Sequence, residues 1–418
     1  MMRPVLVALA SAALCACGSR PPLETTVLPW PMYQMDPSHN AIVAGSFPAT
    51  AWSLNLNGKI NGGFGYDGRR LYVPDFSGDV VAIDPSTGRV LWKARGDDVM
   101  MSTPIVAGGL VFAGSGTNAV LVDRPGDTVW GRPQGNHWFA FRADDGTLAW
   151  SFRTAGQAMP SAAYAGGVLT FGTGDNVAVG LDAATGKRLW TTDLPGHVSM
   201  ASTAIVGDLA YLVTTKGEIE HHLPDGNHVV ALRWRDGSTV WSAPYGNSDC
   251  APVVAEGLVF VEGVTDGVLG PREAIGYNDV TALDARTGAV RWHYRGAQGV
   301  FTTVGTNERG IAGTYHGGVL YQSLPALSEL VAFRARDGRV LWTARTAGPV
   351  KMSPLIYRGN LYAGDGVGVF YVISARSGAI LKSLAYRKPF TSAPPLIVGA
   401  TLFVANTNTV MAVPLDRL

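Results

Sequence analysis

Charge is scarce in this chain. Asp, Glu, Lys and Arg make up 16% of its 418 residues, against about 25% in ordinary soluble proteins. The 33 basic and 32 acidic residues nearly cancel, leaving +1, so the chain lacks the basic footprint that nucleic-acid binding requires. Cysteine is scarcer still. Cys15, Cys17 and Cys250 are the only three, too few for a disulfide scaffold. No Cys-x-x-Cys-His, Gly-x-Ser-x-Gly or His-Glu-x-x-His occurs, which removes the local signatures of haem attachment, a nucleophile elbow and a zinc protease. No unbroken apolar run reaches the 18 residues of a membrane-spanning helix, and no segment sustains a 3.6-residue period. What the chain has in excess is glycine, 52 of 418, well above the roughly 7% average. Without a Gly-X-Y period, that excess implies many tight turns between many short strands. The 47% hydrophobic content excludes a disordered chain.

The N-terminus reads as a leader. Met1-Met2-Arg3 is a short positive n-region, and Val5 to Ala16 is an apolar stretch too short to cross a bilayer of about 30 Å. It ends Leu14-Cys15-Ala16-Cys17-Gly18-Ser19. Leu14 and Ala16, three and one places before Cys17, resemble the bacterial lipobox. That resemblance implies a signal peptide over 1–16 and a diacylglycerol on the Cys17 thiol. Cys15 would leave with the leader, and Cys250 would be the one free thiol. Residues 17–50 carry six prolines and read as a lipidated, extended tether. Gly18, not Asp, follows Cys17, which places the expected anchor on the periplasmic face of the outer membrane of a two-membrane host. Removing residues 18–45 is then expected to leave stability nearly intact.

The rest is one phrase repeated. An apolar pair, Ala, an apolar residue, a polar turn ending in Gly and then Trp four places on recur along the chain. The Ala place is held by Ala82, Ala140, Gly180, Ala231, Ala282, Ala332, Val372 and Ala412, at spacings of 58, 40, 51, 51, 50, 40 and 40. The tryptophans are Trp92, Trp150, Trp190, Trp241, Trp292 and Trp342, with Lys382 at the seventh place. Each unit reads as four short strands, A to D, and a period of 40 to 50 with four strands is the mark of a β-propeller. The eighth copy stops after strand C. Trp52 stands 30 residues before Ala82, as Trp342 stands 30 before Val372, so the strand around Trp52 takes the strand D place of the last blade. The expected fold is therefore all-β, an eight-bladed β-propeller of four-stranded antiparallel blades over 51–418, closed by that strand. Seven blades is the alternative count. One Trp per blade at a fixed place is read as packing between neighbouring blades.

The full phrase Ala-x-Asp-x-x-Thr-Gly-x-x-x-Trp, at Ala82 to Trp92 and Ala282 to Trp292, resembles the tryptophan-docking repeat of the pyrroloquinoline-quinone-like propellers. Of that superfamily's branches, the non-catalytic lipoproteins, similar to the outer-membrane β-barrel assembly lipoprotein, match in size and in the lipobox. The quinoprotein alcohol dehydrogenases are the enzymatic branch. The resemblance implies that those enzymes would need a quinone, a calcium-type ion, a catalytic Asp and a pair of adjacent cysteines, and the mature chain has no such pair. The expectation is thus a non-enzymatic, monomeric scaffold with no cofactor, bound to a cell-envelope protein and tethered to the membrane. The alternatives are a propeller that binds a small ligand or quinone, and a quinoprotein dehydrogenase.

Smaller motifs resolve into turns. Ala184-Thr185-Gly186-Lys187 lacks the Ser/Thr and following helix of a phosphate loop, and Gly364 to Gly368 is a glycine-rich hairpin. His221-His222 could ligate a metal only from a loop, because adjacent strand residues face opposite ways. The length excess over the 40-residue unit falls in B–C loops and D-to-A links, at one end of the ring. Those loops hold Trp130, Arg132, Glu220, His221, Arg272 and Tyr277, the expected partner-binding residues.

Overall fold

A computed structural model describes residues 30–45, 47–116, 120–122, 129–130, 135–215, 227–244, 250–269, 273–302 and 312–418. The leader and Cys17 lie outside these residues. Eight antiparallel sheets of four blade strands form an eight-bladed β-propeller. The innermost strands, A, are Gly65–Tyr66, Ile105–Ala107, Ala163–Ala165, Ala204–Val206, Val253–Ala255, Thr314–His316, Leu355–Tyr357 and Leu396–Val398, in blades one to eight. The middle of strand C in each blade is buried on both faces, because both meet neighbouring blades. In blade one all five residues of Asp79–Ile83 are buried. The outer strands alternate, as in Leu148–Arg153, because only one face meets a neighbour.

The ring closes with the strand Trp52–Asn55. It pairs antiparallel with Thr409–Pro414, Trp52 opposite Ala412. The first and last described parts of the chain thus share blade eight, and no sheet edge is left between blades one and eight.

The recurring phrase is a docking device between blades. In strand D each Trp sits opposite the Ala place of its own strand C, as Trp92 does opposite Ala82. Its indole then reaches into the next blade. Trp52 donates to the carbonyl of Pro85, Trp92 to Ala143, Trp150 to Ala183 and Trp190 to Trp234, at 2.9 to 3.0 Å. Trp241, Trp292 and Trp342 donate to Ala285, Ala335 and Ala375 at 2.7 to 3.1 Å. The ring of each indole lies on the turn glycine of that next blade. Gly288 is one of these, at φ +73, where an added Cβ would lie 2.6 Å from the ring of Trp241. Only glycine satisfies both the left-handed backbone and the contact. Gly288→Ala is therefore expected to cost about 2–4 kcal/mol, from left-handed strain and overpacking together. Circular dichroism should record a lower Tm, and an unchanged Tm would refute the docking argument.

This geometry also explains Lys382, which pairs with Val372 at the seventh Trp place. An indole there would have to land on the C–D turn of blade eight. After strand C, blade eight runs instead into a 3-10 turn at Leu415–Arg417, and its strand D comes from Trp52–Asn55. With no turn glycine to cover, the position has no use for Trp.

The expected tether is corrected over part of its length. Residues 30–43 are packed inside the ring, against the A strands. Trp30 and Val106 exchange backbone hydrogen bonds of 2.8 and 2.9 Å. The amides of Tyr164, Val254, Tyr315 and Ile397 donate to the carbonyls of Pro31, Pro37, Ser38 and Ala41. Ile42–Val43 adds a parallel fifth strand inside blade eight. The segment satisfies inward-facing backbone groups of the short A strands that no blade can reach, so it is part of the fold. It forms a plug, so removing residues 18–45 is now expected to cost stability.

Candidate functional site at the mouth of the channel

A pocket of about 70 Å³ opens on the ring axis, at the end where the D-to-A links run. Its wall is built from equivalent places in successive blades. Four residues ahead of strand A stand Asn61, Met101, Met159, Met200, Lys351 and Ser392, in blades one, two, three, four, seven and eight. The corresponding residues of blades five and six, Asp249 and Gly310, lie outside the described residues. Two residues nearer strand A stand Thr103, Ser161, Ser202, Ala251 and Ala312. Tyr33 of the plug also lines the pocket. Lys351 is the charged residue of this lining among the described residues.

The deeper hydroxyls are oriented by the backbone of their neighbours. Thr103 Oγ1 accepts from the Gly63 amide at 2.8 Å, Ser161 Oγ from Thr103 at 2.8 Å, and Ser202 Oγ from Ser161 at 3.1 Å. With an oxygen lone pair of each hydroxyl engaged by an N–H, its own proton is left to donate. An arc of O–H donors with a lysine across the axis suits an anion.

Tyr33 is held through its hydroxyl to Ser353 Oγ at 3.2 Å. Burial pushes its pKa up, only partly offset by that hydrogen bond, so the phenol stays neutral and able to donate. The ring of His39 meets Tyr33 edge-on at 5.0 Å. Burial lowers the pKa of His39 to about 3, and that of His197 to about 4. Both are neutral when folded and ordinary when unfolded. The unfolded chain therefore binds more protons below about pH 6.5. Stability is expected to be flat above pH 6.5 and to fall as pH drops from there toward 4. Thermal melts across that range should show the fall, and a Tm constant from pH 7 to 4.5 would contradict it.

Of the sequence-chosen binding residues, Trp130 and Tyr277 lie among the described residues. Trp130 lies in Val129–Trp130, which pairs with Val120–Val122 in the long blade-two loop. Tyr277 lies in strand C of blade five, with the Arg295 guanidinium 4.0 Å over its ring. Arg132, Glu220, His221 and Arg272 lie outside the described residues, as do His222 and Gly305 to Arg309. Gly364 to Gly368 is the B–C turn of blade seven, built around Asp365, whose Oδ1 accepts from Val367 and Val369. The pocket residues went unnoticed in the sequence. A signal was present, since Met-x-Ser or Met-x-Thr recurs at Met101, Met159 and Met200, four residues ahead of strand A each time.

The ring, its indole docking and its axial pocket define a β-propeller of the pyrroloquinoline-quinone-like class. A family model described as outer membrane protein assembly factor BamB matches residues 48–262 and 276–416, and the chain belongs to that family. Among relatives, it is similar to the tetrathionate hydrolase of Acidithiobacillus ferrooxidans, 27% identical over 93% of this chain and 79% of that protein. It is also similar to BamB of Yersinia pestis, 23% identical over 87% of this chain and 88% of the other. Among solved structures, the quinohemoprotein alcohol dehydrogenase of Comamonas testosteroni matches with a TM-score of 0.66 and 14% identity, over 93% of this chain and 80% of that one. This last likeness shows the fold alone. The first overturns the expectation of a chain that is not an enzyme. A relative that bears the name of a hydrolase matches 93% of this chain. Repeat phrases report only blade packing, so the expectation had no view of the mouth.

Proposed function

We propose that the protein is an exported hydrolase of a small sulfur oxyanion of the tetrathionate kind, acting at the mouth of its channel. The observation that carries this reading is the lining of the axial pocket. Six of the eight blades present an equivalent side chain four residues ahead of strand A, Lys351 supplies positive charge, and preset hydroxyls of Thr103, Ser161 and Ser202 face the same space. The hydrolase relative supports it. In this reading the hydroxyls and Lys351 hold the anion, and the neutral Tyr33 phenol donates a hydrogen bond from the plug. The fold class also holds quinones in some members. No step of this reading runs through such a group. The test is consumption of tetrathionate by the purified chain, followed by ion chromatography. Turnover above a heat-denatured control is expected, and none between pH 3 and 8 would refute the reading.

One observation favours a second reading, a scaffold in outer-membrane protein assembly. Strands B, C and D of blade five, Leu258–Leu269, Glu273–Asp284 and Val290–Thr302, run far longer than those of any other blade. They project a three-stranded sheet at the end of the ring that holds the D-to-A links. A photo-crosslinker at Tyr277 would then recover a cell-envelope protein, and its failure to do so in native envelopes would count against this reading. Either reading is compatible with lipidation at Cys17 and a place on the periplasmic face of the outer membrane. Cys17→Ala is expected to move the protein into the soluble fraction on cell fractionation. A variant that remains with the membranes would remove the anchor.

A further inference from the structure

The wall of the pocket is uneven. Met101, Met159 and Met200 occupy the equivalent place in three consecutive blades, two to four. Lys351, Ser392 and Asn61 occupy it in blades seven, eight and one. In a ring of eight, blades three and seven face each other, so Met159 stands across the axis from Lys351. Among the described places, three consecutive blades therefore present thioethers, and three others present a cation, a hydroxyl and an amide. Beneath the thioethers lie the hydroxyls of Thr103, Ser161 and Ser202, each already fixed by a neighbour's amide.

A hard oxyanion such as sulfate has no use for the thioethers. It would be bound better by further N–H or O–H donors, which any of three consecutive blades could have supplied. Thioether sulfur is soft and polarisable, and dispersion contacts favour other polarisable atoms such as divalent sulfur. The complementary ligand has hard, charged ends and a soft middle. A polythionate fits this description, with two sulfonate groups joined through divalent sulfur.

We infer that the mouth divides the recognition of its substrate. The hydroxyl arc and Lys351 take the two sulfonate ends from opposite sides of the axis. The methionine arc lies along the divalent sulfurs between them and selects for their presence. The inference rests on the hydrolase reading for its choice of ligand, but it concerns binding and can be tested apart from turnover.

Two probes separate the arcs. Tetrathionate has sulfonate ends and divalent sulfur. Dithionate carries the same charge and two sulfonate ends, with no divalent sulfur. The full-length protein is titrated with each by calorimetry, and KM and kcat are measured for tetrathionate with dithionate as inhibitor. The wild type is expected to bind tetrathionate at least tenfold more tightly than dithionate. In the triple variant Met101→Leu, Met159→Leu and Met200→Leu, volume and apolarity are nearly kept. There the discrimination should shrink to below threefold through weaker tetrathionate binding, with dithionate binding and Tm unchanged. The single Met159→Leu variant covers the case in which the triple variant does not fold, and it should lose part of the discrimination. Equal affinity of the wild type for the two anions would overturn the inference, as would full discrimination retained by the folded variants. Binding that discriminates without any turnover would sink the hydrolase reading and leave the divided mouth standing. Binding of neither anion would overturn both.

Discussion

Deletion of residues 30–43 is expected to lower the melting temperature by about 10 °C or more. Trp30, Met32 and Ala41 of this segment are almost wholly buried, and burying a large apolar side chain contributes about 1.5–3 kcal/mol. The amides of Val106, Tyr164, Val254, Tyr315 and Ile397 would also lose their acceptors. A buried donor left unpaired costs about 1–3 kcal/mol, less where water can enter. The entropy of ordering the segment offsets part of this gain, so the chain should still fold without the plug. It should do so with a widened channel and without Tyr33 in the pocket. Extending the deletion through Leu56 removes Trp52 and strand D of blade eight. That exposes the edge of Thr409–Pro414 and withdraws the indole from Pro85, so aggregation is expected in place of a clean melt. Differential scanning calorimetry of the two truncations decides the matter. A plug deletion as stable as the full chain would mean that the segment contributes nothing, and equal behaviour of both would rule out closure by the N-terminal strand.

Lys351→Ala is expected to raise the KM for tetrathionate about 30-fold. A hydrogen bond to a charged group is worth about 1.5–3 kcal/mol, and 30-fold corresponds to roughly 2 kcal/mol at 298 K. The cation is on the pocket wall, where it meets the anion before any bond breaks, so the loss should fall on KM and leave kcat within a few-fold. Lys351→Arg keeps the charge on a longer, forked head and should recover part of the affinity. Steady-state kinetics at two salt concentrations provides a second readout. The wild-type KM should rise with salt while that of Lys351→Ala stays nearly flat, because screening acts only where there is charge to screen. A KM unchanged in Lys351→Ala would place substrate binding somewhere other than this mouth.

Much of the architecture can be read from the chain because the repeat is local. Ala82, Gly88 and Trp92 lie within eleven residues of one another, and their spacing is set by one hairpin whose register pairs Ala82 with Trp92. Counting such phrases counts blades, and the lone Trp52 with its missing partner strand discloses the closure. Lys382 was visible as a departure, but its reason was not. That reason lies in the absence of a turn in the next blade, a fact about closure and not about residue 382.

The site was hidden for the opposite reason. Met101, Met159, Met200 and Lys351 each belong to a different blade, and the short Met-x-Ser/Thr recurrence ahead of strand A links only the three methionines. Length marks the long loops in the sequence, and of the six residues they supply Trp130 and Tyr277 lie among the described ones, on blades two and five. The plug was equally hidden. Its prolines and lack of period suit a tether, and its partners are backbone groups at Val106 and Ile397, tens to hundreds of residues away. The sequence by itself determined the strand period, the docking of each blade on the next, the number of blades and the closing strand, because each is settled by contacts a few residues apart or by a repeat that can be counted. Only the tertiary structure decided that residues 30–43 fill the channel and that three methionines, four serine and threonine hydroxyls and a lysine converge at its mouth. Convergence on an axis is a property of the closed ring, and no single blade carries it.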